Sequence, residues 1–267
     1  MAQRIVRAKA TLAEAGVPFE VPEGDEFTAR LASVLEVIYL IFNEGYLATA
    51  GEDLIRPGLC EEAIRLGRVL AGLVPSEPEV HGLVALMEIQ ASRLRARIGP
   101  SGEPILLTEQ NRRQWDQFLI LHGLAALRRA EQLGGVDGPY ALQAAIAACH
   151  ARSRSADETD WEQITDLYRR LAGVSPSPVV ELNRAVAVAM AFGPAAGLDL
   201  IDPLREEPSL RTYYLLPSVR GDLLEKLGRF TEARAEFEQA ASLTLNQRQR
   251  DLLLDRAAAC DQAGSSP

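Results

Sequence analysis

The sequence predicts an all-α protein, an irregular tetratricopeptide-like stack of antiparallel helical hairpins. Three observations point there. Ala, Leu and Arg, which cost little in a helix, are frequent, while aromatic residues make up only 6% of the 267 and β-branched runs are scarce. Apolar side chains recur at spacings of three and four in segment after segment. Gly- and Pro-rich breaks separate those segments. A hydrophobic content of 47% suffices for a well-buried core, and 24% charged residues is near the globular average, which excludes disorder and fibrous rods.

Residues 1–15 read as one short helix, with Ile5, Leu12 and the small Ala8 and Ala15 at helical spacing and Arg4, Arg7 and Lys9 outside. Taken alone, such a charged end is ordinarily a solvated face. Gly16 and Pro18 stop this helix, and Pro22 and Gly24 extend the break into a linker over 16–27. The remainder, 28–267, reads as a helical-repeat domain. From Thr28 a stripe of Leu31, Val34, Leu35, Ile38 and Phe42, widened by Val37, Tyr39, Leu40 and Ile41, predicts a helix buried on several sides and ending at Asn43-Glu44-Gly45-Tyr46.

Helices are expected next at about 60–73 and 77–97, then, after the Gly99 to Pro104 break, from Glu109 or Asn111 to Leu133. The second half predicts helices near 138–152, 160–171, 178–192, 195–205, 210–227, 231–243 and 247–262. Thr159 with Glu162 fits a capping box, and Asn246 with Gln249 is a weaker version. Pro217 either lies in the first turn of a helix starting near Leu216 or kinks a longer one. Gly221, Ala233, Phe237 and Ala240 fit the tetratricopeptide pattern, in which small residues let paired helices approach closely. An earlier register puts Ala185, Gly197 and Ile201 in the same places, and Ala63 to Pro75 matches the second helix of a third unit.

The charge balance, 28 Lys and Arg against 37 Asp and Glu, argues against a surface that grips nucleic acid along its length. Three widely spaced cysteines, Cys60, Cys149 and Cys260, form no disulfide framework and no CxxC pair, which fits a reducing cytoplasm. No secretory leader or membrane span is read. His81, His122 and His150 share no ligand spacing, and no nucleophile elbow or phosphate loop occurs, so no metal, no cofactor and no enzymatic activity are expected. Glu44 and Asp116 could supply a hydrolytic carboxylate pair. The simpler reading makes Asn43, Glu44, Trp115 and Asp116 caps and loop locks, and has Asn183 and Arg184 bond across stacked helices.

Four stretches carry a resemblance: Val37 to Tyr46, Gly138 to Ala151, Thr159-Asp160-Trp161, and Ser177 to Met190. Together the chain resembles the C-terminal tetratricopeptide-like extension of extracytoplasmic-function sigma factors. That resemblance implies a regulatory domain in transcription initiation that contacts the sigma core or RNA polymerase. It makes residues 1–15 the remnant of a recognition helix, with Gln3, Arg4, Arg7 and Lys9 facing promoter DNA, chemistry that suits Arg and Gln. It also implies that the remaining sigma domains precede this sequence, and that a small protein carrying a DGPF motif is a partner. One departure is Thr108-Glu-Gln-Asn-Arg-Arg-Gln114, where the family often carries an acidic run. A second reading is a small-ligand or peptide-sensing module, with Asn43, Glu44, Tyr46, Trp115, Asp116, His150, Arg152, Asn183 and Arg184 lining a central groove.

Overall fold

The computed structural model describes residues 23–264 together with Arg7, Ala10, Thr11 and 14–16. It consists of eleven α-helices and one two-residue strand pair among these residues: α1 (Gly24–Tyr46), β1 (Ala50–Gly51), α2 (Pro57–Leu73), α3 (Pro78–Ala91), α4 (Gln117–Gln132), α5 (Pro139–Arg152), α6 (Trp161–Val174), α7 (Pro178–Phe192), α8 (Pro194–Ile201), α9 (Leu215–Lys226), α10 (Phe230–Leu243), β2 (Leu245–Asn246) and α11 (Gln247–Gly264). The all-α expectation therefore holds. No helix among the described residues is long and apolar enough to cross a membrane.

The chain divides into two compact units, 1–37 and 38–267. In the first, Arg7, Ala10, Thr11 and Glu14 are helical and exposed, and the Thr11 hydroxyl bonds the Arg7 carbonyl at 3.0 Å. Gln3, Arg4 and Lys9 lie outside the described residues. The expected linker ends earlier than its sequence suggests, because α1 starts at Gly24, where Asp25 and Glu26 occupy the first turn and favour the helix dipole. Burial of α1 is also narrower than expected. Phe42 and Ile38 are buried, but Val34, Val37 and Leu40 are 44%, 55% and 58% exposed, so the helix presents an apolar outer stripe.

In the second unit, successive helices pair as antiparallel hairpins, α3 with α4, α7 with α8, α9 with α10, and α10 with α11. Where predicted helices break early, a named bond or residue is responsible. The helix expected over 77–97 ends at Ala91 because the Ser92 hydroxyl donates to the Ile89 carbonyl at 2.6 Å and the Ser92 carbonyl accepts from Asp116 N–H at 2.8 Å. A short 3₁₀ turn, Leu94–Arg97, follows. The helix expected from Glu109 or Asn111 starts only at Gln117, capped by Asp116, whose carboxylate accepts from Phe118 and Leu119 N–H. Pro203, which lacks an N–H, converts the end of the 195–205 segment to 3₁₀ geometry. Pro217 sits in the first turn of α9, where a missing N–H costs nothing, and so resolves the choice left by the sequence.

The repeat seams are as tight as the small residues imply. A Cβ placed on Gly221 would lie 2.7 Å from the Phe237 ring, and one on Gly197 would lie 2.5 Å from the Ala189 Cβ and 2.8 Å from the Ala185 carbonyl oxygen. Leu182, Ala185, Ile201, Leu224, Ala233 and Phe237 form the buried C-terminal core around these contacts. Arg220 crosses the same region, donating to Asp202 at 2.8 Å and Glu236 at 2.6 Å.

The ends of this unit also meet. β1 pairs in parallel with β2, Ala50 opposite Leu245 and Gly51 opposite Asn246. Buried Asn246 donates through Nδ2 to the Ala48 and Asp53 carbonyls at 3.3 and 2.9 Å, while its Oδ1 accepts from Gln249 N–H at 3.2 Å, the cap its sequence position predicts.

Replacing Gly197 with Ala is expected to destabilise the protein by about 1–3 kcal/mol through overpacking, outweighing the ~1 kcal/mol that Ala gains over Gly in a helix. Urea denaturation measures it, and a raised midpoint would contradict so close a seam.

Candidate functional site

The site grows from the turn after α3. The break at Ser92 and the following 3₁₀ turn direct Arg93 and Arg97 toward the end of α1. There the Arg97 guanidinium lies 3.7 Å from the centre of the Tyr46 ring and donates to the Tyr46 carbonyl, and Arg93 lies 5.5 Å from the same ring. Tyr46 in turn stacks on Phe42. Burial holds the Arg97 pKa below its ordinary value, and the groups acting on it besides Arg93 are Tyr46, Cys60 and Tyr214, none a carboxylate.

A third arginine, Arg112, organises the neighbouring turn. Asn111 caps the 3₁₀ turn Arg112–Gln114 by accepting from Arg113 N–H. This turns Arg112 inward, where it donates to the His150 carbonyl at 2.6 Å, the Ser153 carbonyl at 3.1 Å and the Thr159 hydroxyl at 2.8 Å. The departure from an acidic run at 108–114 thus supplies a clamp between the Trp115 turn and the α5–α6 loop. It also explains why the expected capping box at Thr159 does not form. The threonine hydroxyl serves the guanidinium, a charged donor, and Asp160 caps α6 instead by accepting from Gln163 N–H at 2.8 Å.

Clamped this way, Trp115 and His150 face one small chamber of about 120 Å³, lined also by Gln90, Arg93, Leu107 and Tyr168. Trp115 is 3% and His150 9% exposed. The indole Nε1 and the imidazole Nδ1 are both buried without a hydrogen-bond partner in the protein. His150 meets the edge of Trp161 at 5.1 Å, and burial, Arg93 and Arg112 together push its pKa down to about 3. Burial, the main cause, raises the Tyr168 hydroxyl to about 12.

Four other tyrosines pack in two pairs. Tyr39 meets Tyr140 edge-on at 5.5 Å, donates to Gln143 at 3.1 Å and bonds the Asn43 side chain. Tyr168 and Tyr213 feel Tyr39 electrostatically, and Tyr214 packs beside Tyr213 and feels Arg97.

The nine residues expected along one groove do not converge. Tyr46, Trp115 and His150 are joined through Arg93, and Asn43 borders them through Tyr39. Glu44 turns away, accepting from Thr49 N–H and hydroxyl and from Arg56 at 2.6 Å, which locks the loop that carries β1. Asp116 lines a separate groove of about 820 Å³, whose walls include Cys60, Ile64 and Val69 and whose charged groups include Arg65, Arg68 and Arg95. Arg152 borders a third cavity of about 170 Å³ beside Cys149 and Gln163. Burial pushes the Cys149 thiol up to about 11, leaving it protonated near neutral pH. Asn183 is exposed, and Arg184 pairs with Glu181 one turn back at 2.6 Å rather than across helices, the i,i+3 spacing placing the two on one helix face. Glu44 and Asp116 occupy different places and each serves the backbone or a loop, so they form no acid–base pair.

The residues missed from sequence, Arg93, Arg97, Arg112 and Tyr168, lack any motif. For Arg93 and Arg97 the one available signal was a cluster of arginines at a predicted helix end without acidic residues at i±4, whereas Arg112 has Asp116 at i+4 and Tyr168 offered no signal. Among the described residues no group of three or more His, Cys, Asp or Glu side chains is placed to hold a metal ion.

Residues 30–131 match a family of unknown function (DUF6596), a span that runs from within α1 into the last turn of α4 and includes the Arg93 turn. The chain is 48% identical over 246 residues to an uncharacterized protein of Rhizobium meliloti (strain 1021). That alignment covers 92% of this chain and 57% of the relative, so the chain spans little more than half of that protein's length.

Two outcomes follow from the clamp and the histidine. Arg112→Ala leaves two carbonyls and a hydroxyl unpaired in the interior and is expected to cost about 2–4 kcal/mol in chemical denaturation, with Arg112→Lys restoring less than half because an ammonium lacks the planar fork. For His150, the unfolded chain takes up a proton near the ordinary value of 6.5 while the folded chain stays neutral down to about 3. The unfolded state therefore binds more protons below pH 6.5, and stability falls as pH drops, at up to about 1.4 kcal/mol per unit. Denaturation between pH 7 and 5 should show this slope, and His150→Gln should flatten it.

Proposed function

We propose that this chain is the regulatory helical domain of an alternative sigma factor of the extracytoplasmic-function group, acting in the cytoplasm during transcription initiation. In this reading it contacts the sigma core or RNA polymerase and tunes promoter use, with no enzymatic step. The observation that carries it is that three of the four family-like stretches come together. Val37 to Tyr46 contributes Tyr39, Asn43 and Tyr46; Gly138 to Ala151 contributes Tyr140, Gln143 and His150; and Thr159 to Trp161 contributes the Arg112 acceptor and the ring beside His150. Stretches distant in sequence that resemble one family thus build one interior.

Two further features support the reading. The Rhizobium meliloti relative is much longer than the aligned segment, which leaves room for the two sigma domains expected ahead of it. The exposed apolar stripe of α1, Val34, Val37 and Leu40, suits a face covered by another part of such a protein. Promoter contact through Gln3, Arg4, Arg7 and Lys9, and binding of a small DGPF-type protein, belong to the same proposal.

Deleting Gly24 onward from the full-length protein is expected to change transcription from its own promoter severalfold in a reconstituted reaction with RNA polymerase. Unchanged output would reject the regulatory role.

A further inference from the structure

Where the first loop of the second unit meets its last hairpin, the hydrogen bonds fall into two kinds. On one side, the loop between α1 and α2 is closed on itself. Ala48 N–H donates to the Leu54 carbonyl at 2.9 Å and Arg56 N–H to the Gly45 carbonyl at 2.7 Å. The Glu44 carboxylate holds Thr49 and Arg56, and Arg56 also donates to the Ala50 carbonyl at 3.0 Å. On the other side, the turn into α11 is equally self-contained. Asn246 N–H donates to the Thr244 hydroxyl at 3.3 Å, and Arg250 donates to the Ala241 and Thr244 carbonyls at 3.3 and 2.8 Å. With the Asn246 Oδ1 cap on Gln249 N–H, these bonds fix each side without crossing the joint.

The bonds that do cross are the β1–β2 pairing and the two from Asn246 Nδ2 to the Ala48 and Asp53 carbonyls. Beside them the Arg248 guanidinium passes the next loop, 3.2 Å from where a Cβ on Gly102 would lie. The paired strands bring little apolar surface, since Ala50 and Gly51 are exposed and Leu245 is 73% exposed. Water replaces hydrogen bonds of this kind when they part, so each contributes little net. The helix seams are different, because separating them forfeits dispersion contacts and apolar burial. Segments joined through exposed backbone bonds are the ones that open locally, below the free energy of global unfolding.

We propose that this joint is a latch. The 47–56 loop and the turn into α11 part and rejoin as two preformed faces while the helices stay folded, which gives the unit a closed and an open form. Asn246 is the bolt, because one side chain both caps α11 and ties it to the loop. Opening frees the backbone edges of β1 and β2, the kind of edge to which another extended segment adds. Anything that prefers one form shifts the balance by its difference in affinity. The latch uses this unit's own residues and stands apart from the sigma-factor reading.

Asn246→Asp separates the two duties of the side chain. A carboxylate keeps the acceptor for Gln249 N–H and caps a helix as well as asparagine does, but it sets an acceptor against the Ala48 and Asp53 carbonyls. Hydrogen–deuterium exchange of the full chain near neutral pH is followed by mass spectrometry in peptides covering 47–54, 244–249 and α7. Asn246→Asp is expected to speed exchange of 47–54 and 244–249 together by about tenfold, the effect of losing two hydrogen bonds, and to leave α7 unchanged. The second arm replaces the ladder partners Ala50 and Leu245 with cysteine and oxidises the pair. Adjacent strands lie about 4.8 Å apart, within reach of a disulfide, and the native cysteines are buried. The cross-link should slow both segments by about tenfold relative to the reduced form, since their exchange then loses its opening step. The latch is overturned if a folded Asn246→Asp speeds 244–249 alone, the mark of a lost cap. It is equally overturned if the cysteines fail to cross-link, or if the cross-link forms and slows neither segment. Should Asn246→Asp not fold, the cross-linked pair decides by itself.

Discussion

Close approach of helices at small residues is the constraint on which the architecture depends. Where Gly197 meets Ala189 and Gly221 meets Phe237, there is no space for even one additional carbon. The same holds earlier in the unit, where a Cβ on Gly123 would meet Ile89 at 2.6 Å and one on Gly82 the Ala141 backbone at 2.8 Å. Dispersion contacts and apolar burial grow with such proximity, and the cores around Leu182, Phe237 and Leu224 or around Ala85, Ala130 and Ala144 follow from it. An open repeat array would leave its two ends free. Here the β1–β2 pairing and the Asn246 amide bring the first loop of the unit to its last hairpin.

That closure has a chemical consequence. Helices packed on small residues leave little interior volume, so the loops between them are forced inward at the few places where the chain breaks. The turn at Ser92 and the turn at Arg112 are two such places, and both carry arginines. Their charges are spread over tyrosine faces, backbone carbonyls and a threonine hydroxyl rather than over carboxylates. Guanidinium suits this role because it is planar and weakly hydrated and can stack and donate at once. His150, surrounded by these cations and removed from water, stays neutral through the physiological range, which leaves its ring available as a hydrogen-bonding group rather than as a charge.

Helix positions from 57 onward were largely legible in the sequence, because apolar period and Gly or Pro punctuation are local signals. α7 and α10 fall within a residue of expectation, and the small-residue seam of α9 and α10 was readable from Gly221, Ala233 and Phe237. The misses share one cause. Thr159 and Ser92 were each bound by a partner distant in sequence, Arg112 and Asp116, so local rules named the wrong cap for α6 and missed the break after α3. Likewise α1 has apolar residues nearly all round, yet Val37 and Leu40 face outward, since periodicity measures a pattern and not what covers it. Of the candidate site, Tyr46, Trp115 and His150 were named in advance among nine residues lining one groove, but Arg93, the neighbour that joins these three and not the other six, bears no motif.

By itself, then, the amino-acid order determined the all-helical class, most helix limits and the tight hairpin seams, since each rests on propensity and spacing within one or two turns. Tertiary structure alone decided which breaks turn inward, which arginine clamps which loop, and that an indole and an imidazole 35 positions apart share one chamber. The physical reason is that helix formation is governed by neighbours along the chain. A buried polar group is instead governed by whatever partners the packing of distant elements brings within hydrogen-bond reach.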